Sequence, residues 1–334
     1  MIRSGSETGT RGKRGLPVRV SGSRPIRRSR AQIATIKAAI HDLLAEEAPC
    51  TVRQVFYRLV SAGVIGKTEG EYKSTVVRLL GEMRRNHEIE FSWIADNTRW
   101  MRKPRSHSSL EAMLKYSAEA YRRSVWDNQN CYVEVWLEKD ALAGVLLDVT
   151  ATWDVPLMVT RGYPSLSFLH SAAEVIAEKE KPVYLYYFGD HDPSGIDIPR
   201  KVEADLRKFV AEIRYAHVDF GEDVGDIADL LPEGFLNIHF ERLAVMPEQI
   251  QELNLPTRPT KRTDSRAKGF EGESVEVDAI PPKMLRQIAS DCITQHVDQK
   301  AYDVLIDAEA GEREALMAVA RDYFVEASAD NLLF

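Results

Sequence analysis

Long apolar runs are missing from this 334-residue chain. No stretch reaches the roughly 20 residues that cross a bilayer as a helix. The basic N-terminus lacks the apolar middle of a secretory signal. Cysteine is scarce: Cys50, Cys131 and Cys292 lie far apart, show no metal-ligand spacing and suggest no disulfide framework. No internal repeat is visible. A phosphate-cradling loop is also wanting. Ser61–Thr68 nearly matches G-x-x-x-x-G-K-[ST], but Ser61 replaces the first glycine and the segment follows a helical pattern rather than a strand. It reads as a helix end and a loop. These absences argue against a membrane-spanning protein, a disulfide scaffold and an ATP site in the chain itself, and leave a cytosolic globular protein as the expectation.

An apolar content of 44% allows a substantial core, and the length suits two domains. The net charge of −7 conceals an asymmetry. Residues 1–30 hold nine Lys/Arg and one acid, a net of +8, which leaves −15 for the remainder. Glycine, serine and proline fill the rest of that segment, so a disordered basic arm is expected, suited to phosphates without sequence readout.

After the arm, residues 31–47 repeat apolar side chains at helical spacing, and Pro49 ends the pattern. Thr51 opens a second helix with Gln54 at capping-box spacing, stopping at Gly63. A third helix fits residues 71–86. Val76, Val77, Leu79, Leu80 and Met83 form one face, and Lys73, Arg78, Arg84 and Arg85 the other. An extended segment, Ile89–Ile94, follows. Three short helices and a β element suit a winged helix-turn-helix whose third helix reads a DNA groove. A basic connector (Arg99, Arg102, Lys103, Arg105) then leads through a helix near residues 110–123 into a second domain. From Tyr132, strand and helix alternate, with strands at Val133, Leu157 and Val183 and helices from Asp140, Leu166 and Ile198. This pattern predicts an α/β fold, a mostly parallel sheet flanked by helices. A further strand near residues 236–240 and helices near 282–296 and 312–325 complete it. The expected boundaries are 1–30, 31–125 and 126–334.

The chemistry concentrates at two strand ends. Gly189-Asp190-His191-Asp192-Pro193-Ser194-Gly195 follows the apolar run Val183–Phe188, and Glu138 follows Val133–Leu137. In open α/β sheets, sites gather at the carboxyl ends of strands. Glu138, Asp190 and Asp192 can therefore converge on Mg²⁺ or Mn²⁺, and a cation relieves the repulsion between close carboxylates. The plainer reading of such an Asp is a turn residue or helix N-cap. His191 reads as a turn residue. Lys139 and Asp140 stand beside Glu138, placed to orient it or cap the next helix. On the second helix, Arg53 precedes Tyr57 by one turn, and its guanidinium can favour phenolate and hold a phosphate. The loop 257–269 has five basic residues (Arg258, Lys261, Arg262, Arg266 and Lys268) and one acid, which suits a nucleic-acid backbone.

Glu138 after one strand and Asp190-x-Asp192-Pro193-Ser194-Gly195 after another resemble the Toprim domain. With Arg53-x-x-Phe56-Tyr57 ahead of it, and with Thr160–Ser165 between the carboxylates, the chain resembles the A subunit of topoisomerase VI, a type IIB enzyme, over roughly residues 33–300. The resemblance implies a winged-helix domain and a Toprim domain. It implies Tyr57 as nucleophile, Arg53 as its phosphate-binding neighbour, and Glu138, Asp190 and Asp192 as ligands of Mg²⁺. It implies cleavage of double-stranded DNA through a 5′-phosphotyrosyl intermediate, by a homodimer in which one protomer's tyrosine works with the other's carboxylates. A separate GHKL-type ATPase B subunit is the implied partner for topoisomerase activity, and nucleoid association the implied location. Gln54 stands where the family usually has an acid, and no ATPase module is fused. Two alternatives remain open: a hydrolytic Toprim nuclease of a defence or plasmid-control system, and a non-catalytic DNA-binding protein.

Overall fold

The computed structural model describes residues 28–95, 104–218, 228, 231–232, 234–259, 270 and 272–330, with side chains as far as 321. Most of the expected basic arm lies outside these residues. Its last part does not behave as an arm. Arg28 pairs with Glu71 and donates to Thr75 Oγ1 at 2.9 Å, and Ser29 caps the first helix.

Three helical segments open the chain. Helix α1 (Arg30–Glu47) starts with a reciprocal Ser29–Gln32 capping box and buries Ile36, Ile40 and Leu44 along one stripe. Helix α2 (Val52–Ser61) starts with the predicted Thr51–Gln54 box and buries Val55, Phe56, Tyr57 and Leu59. The predicted third helix forms in three pieces, together called α3: Glu69–Glu71, a π-helical turn Tyr72–Val77, and Arg78–Arg85. Such turns insert an extra residue into the hydrogen-bond ladder and recur at functional sites. The near-match to a phosphate loop is a helix end and a loop: Gly63 follows α2 with φ +69°, and Thr68 caps the next helix.

The extended element expected at Ile89–Ile94 is not a strand. Phe91–Trp93 is a 3₁₀ turn, and only Ile94 bridges to Cys50, in parallel. Cys50 N–H donates to Trp93 O at 3.0 Å, and Ala95 N–H to Cys50 O at 2.9 Å. Within the turn, Trp93 N–H donates to Glu90 O at 3.2 Å and Ile94 N–H to Phe91 O at 3.3 Å. Helix α4 (Leu110–Ala120) follows.

The second half is a four-stranded, all-parallel sheet with helices on its faces. Its strands are β1 (Tyr132–Leu137), β2 (Leu157–Val159), β3 (Val183–Phe188) and β4 (Ile238–Ala244), in the order β2-β1-β3-β4. The connecting helices are α5 (Ala143–Thr152), α6 (Leu166–Ala177) and α7 (Pro193–Arg214). Helices α6 and α7 pack on each other. Helix α8 (Pro247–Glu252) follows β4; then come α9 (Pro282–Thr294), which packs on α5, and α10 (Gln299–Asp330), which packs on α4. Helix α7 begins at Pro193 rather than Ile198, because Asp192 caps it and proline suits the first helical turn. The central strands are buried along their length, as parallel strands covered on both faces must be. No helix among the described residues is long and apolar enough to cross a membrane.

One acid breaks the apolar pattern. Glu134 is buried within β1, accepting from Tyr132 Oη at 3.1 Å and Trp136 Nε1 at 2.8 Å. Burial pushes its carboxyl up to about 7. An acid with a raised native pKa leaves full stability below its ordinary value of 4.5, and that stability is lost as pH rises through 7. Glu134→Gln keeps the shape without the charge. It is expected to stabilise the fold by about 2–3 kcal/mol at pH 8 and by almost nothing at pH 4, read by urea denaturation. Equal effects at both pH values would remove the explanation.

Candidate functional site

The strand order places a switch point between β1 and β3. The chain runs from β1 outward to β2, then back across to β3 and on to β4. Crevices at the carboxyl ends of such strands are where open α/β sheets bind ligands. Glu138 and Asp190 stand there, just past β1 and β3. Glu138 N–H donates to Phe188 O at 2.9 Å, and Asp190 N–H donates to Glu138 Oε2 at 2.9 Å. Gly189 permits this approach, since a Cβ there would meet Glu138 Oε2 at 2.6 Å. Burial, then the charges of Asp190 and Asp192, push the Glu138 carboxyl up to about 7. Burial also raises Asp190, against the pull of Lys139.

Asp192 is set apart from this pair. Its Oδ1 accepts from Gly195 N–H at 2.8 Å as the N-cap of α7, and its Oδ2 lies 3.6 Å from Arg258. Glu138 and Asp190 line one cleft of about 680 Å³, which Asp192 does not line. Among the described residues, no group of three or more His, Cys, Asp or Glu side chains stands ready to hold a metal. Of the three expected ligands, Glu138 and Asp190 stand side by side. His191 is buried, pairs through its backbone with Val275, and sets its ring 5.3 Å from that of Phe270.

Two further acids, which the sequence reading missed, enter the cleft from the segment after residue 272. Lys139 Nζ lies 2.9 Å from Asp190 Oδ1, 3.2 Å from Glu276 Oε2 and 2.8 Å from Asp278 Oδ2. Burial opposes a charge on Lys139, but Asp278, Asp190 and Glu276 outweigh it and hold the ammonium well above the usual lysine range. Glu276 also meets Arg53 Nη1 at 2.5 Å and Arg258 Nη1 at 2.8 Å. Burial works against its charge, yet Lys139, Arg53 and Arg258 bring it down to about 2. Val277 N–H donates to Asp190 Oδ1 at 2.8 Å, and Thr51 Oγ1 to Asp278 Oδ1 at 3.2 Å. The sequence offered only the alternation Ser274-Val275-Glu276-Val277-Asp278; in the structure Val277–Ala279 is a 3₁₀ turn that follows Glu276. Arg242 of β4 completes the floor by donating to Asp190 O at 2.6 Å.

Tyr57 lies in an adjoining pocket of about 270 Å³ with Phe56, Lys67 and Arg258. Arg53, Tyr72 and Glu276 line both spaces. The Tyr57 side chain is only 5% exposed. Arg53 lowers its phenol as expected, but not by enough. Burial and the Glu276 charge push it up to about 12, outweighing Arg53 and Lys139. The Arg53 guanidinium is instead spent on Glu276 and on the face of Tyr72, 5.3 Å from the ring centroid.

The expected DNA-binding residues divide. Lys73 pairs with Glu69 at 2.9 Å and Arg78 with Glu82 at 3.2 Å, both on the exposed surface of α3. Arg85 is exposed at the end of α3. Arg84 turns into the large cleft. Arg258 is taken up by Glu276, while Lys261, Arg262, Arg266 and Lys268 lie outside the described residues, as do Arg99, Arg102 and Lys103.

No protein-family model matches this chain, and no curated protein is significantly similar to it.

Proposed function

We propose that this protein cleaves DNA by tyrosine transesterification, as the topoisomerase VI A subunit that it resembles does, but with phenol and carboxylates adjoining within one chain rather than supplied by two protomers. In this reading residues 31–125 act as a winged-helix domain and residues 126–334 as a Toprim domain. One observation carries it: Glu138 and Asp190, at the switch point of the sheet, share a cleft wall of Arg53, Tyr72 and Glu276 with the pocket that holds Tyr57.

The acid pair suits Mg²⁺ or Mn²⁺. Glu138, with no basic side chain paired to it among the described residues, is pushed up to about 7, and Mg²⁺ usually takes one or two carboxylates together with substrate phosphates. Glu138 and Asp190 would hold the ion, with Asp192 two residues further along the chain. Bound there, it supplies positive charge to phosphate oxygens. The remaining work falls to the protein. Arg53 sits between the two spaces, where a phosphate can compete with Glu276 for its guanidinium. Tyr57 Oη gives up its proton and bonds to phosphorus as the bond to the 3′ oxygen breaks and that oxygen takes a proton. The ester bond is exchanged rather than spent, so religation needs no ATP. A two-fold dimer would cut both strands, and strand passage would need a separate GHKL-type ATPase.

The burial of Tyr57 and its pKa of about 12 favour a second reading, hydrolytic cleavage in which the phenol is structural. A cleavage assay on supercoiled plasmid with Mg²⁺, followed by denaturation and protease treatment, separates the two. Tyr57→Phe is expected to abolish protein-blocked 5′ ends and to reduce cutting by a factor on the order of 10³ or more. Undiminished cutting by Tyr57→Phe, with loss in Asp190→Ala, would establish hydrolysis. Cutting that survives both substitutions would end both readings.

A further inference from the structure

We infer that the cleft continues into a subsite for one unpaired nucleotide, with Arg84 on its phosphate and Phe91 against its base. This rests on the DNA reading above and names the form of DNA that the site takes. The cleft of about 680 Å³ adjoins a second of about 500 Å³, and Arg84, Ile94 and Ala95 line both. Glu138 and Asp190 line the first space; Phe91 and Leu147 line the second.

Among the described residues lining the first cleft, Arg84 is the cation that no acid holds. Of the other basic side chains lining the first cleft, Arg53 is held by Glu276, Lys139 by three acids, and Arg161 by Asp140 at 3.0 Å. No acid pairs with Arg84 among the described residues, and its Nε is buried without an acceptor. Arg84 lines both spaces, so a phosphate bound there meets its guanidinium with charge-assisted bonds.

Phe91 supplies the second half. Its ring is 61% exposed, and the Arg84 guanidinium sits 5.9 Å from the ring centroid. Leu147, 49% exposed, adds apolar surface to the same space. A paired base inside a duplex offers only its edges, because its faces are covered by neighbouring pairs. An aromatic ring beside an arginine that no described acid holds therefore matches an unpaired base and its phosphate, the combination on which single-strand binding sites are built.

The test uses the full-length protein without divalent cation and two labelled DNAs of one sequence, an intact duplex and a duplex with a single-nucleotide gap. The unpaired base opposite the gap is 2-aminopurine. Tighter binding of the gapped DNA and quenching of the 2-aminopurine are expected. Phe91→Ala should lower affinity for the gapped DNA by about fivefold or more, remove the quenching, and change affinity for the intact duplex by less than about twofold. Phe91→Tyr should behave as wild type. Arg84→Ala should reduce the slope of log affinity against log salt by about 1. Equal losses on both DNAs, or quenching that survives Phe91→Ala, would overturn the subsite. If wild-type protein binds neither DNA, the DNA reading itself falls, and the subsite with it.

Discussion

Lys139→Met is expected to lower stability by about 3–5 kcal/mol at pH 7, the range for removing one partner from a buried ion cluster. Three acids depend on this ammonium: Asp190, Glu276 and Asp278. Glu276 keeps Arg53 and Arg258 when Lys139 is gone, but Asp190 and Asp278 lose their only basic side-chain partner among the described residues. Methionine fills a similar volume, so the loss reports charge rather than packing. The pH dependence gives an independent check. Glu276, held at about 2, provides stability that is complete above its ordinary value of 4.5 and vanishes as pH falls through 2. Where Lys139 no longer holds the acids down, they protonate more readily, so the variant and the wild type should converge as pH falls. Urea denaturation at pH 7 and pH 4 measures this, and Asp278→Asn added to Lys139→Met should recover part of the loss. An identical deficit at both pH values would mean that the cluster is not held by charge.

Gly195→Ala is expected to cost about 3 kcal/mol or more. A Cβ at this position would lie 2.1 Å from Asp190 O and 2.8 Å from Asp190 C. Both are backbone atoms, and Arg242 already holds that carbonyl at 2.6 Å. The first turn of α7 or the end of β3 must therefore move, carrying the Asp190 carboxylate with it. Gly66→Ala is the matched control. A Cβ there meets nothing within 4 Å, so its change should stay within about 0.5 kcal/mol. Thermal and urea unfolding of the two variants should differ sharply, and equal behaviour would show that the strand end has room to yield.

The α/β half was legible because its signals are local. Apolar strands alternating with amphipathic helices predicted a mostly parallel sheet, and β1 to β3 form where Val133, Leu157 and Val183 marked them. The Thr51–Gln54 box set the start of α2 correctly. The segment at Ile89–Ile94 misled because its period-two pattern needs a neighbouring strand, and the surroundings offer only Cys50. At the site, Glu138 and Asp190 could be placed from strand ends alone. The partners of Lys139 could not. Glu276 and Asp278 lie more than 130 residues away in the chain, and nothing local announces such a pairing. For the same reason Arg53 was assigned to Tyr57, its neighbour one turn on, when the stronger claim on its charge came from Glu276.

Thr51 carries one more consequence. Its hydroxyl oxygen accepts from Gln54 N–H at 3.0 Å, fixing the start of α2, and donates to Asp278 at 3.2 Å. Tyr57 follows six residues later, about 9 Å along the same helix. The helix bearing the phenol is thus anchored at its base to the acids that Lys139 gathers. In the proposed reading, a cation or phosphate that redistributed those acids would pull on that anchor, so loading of the sheet and presentation of the phenol would share a single fulcrum.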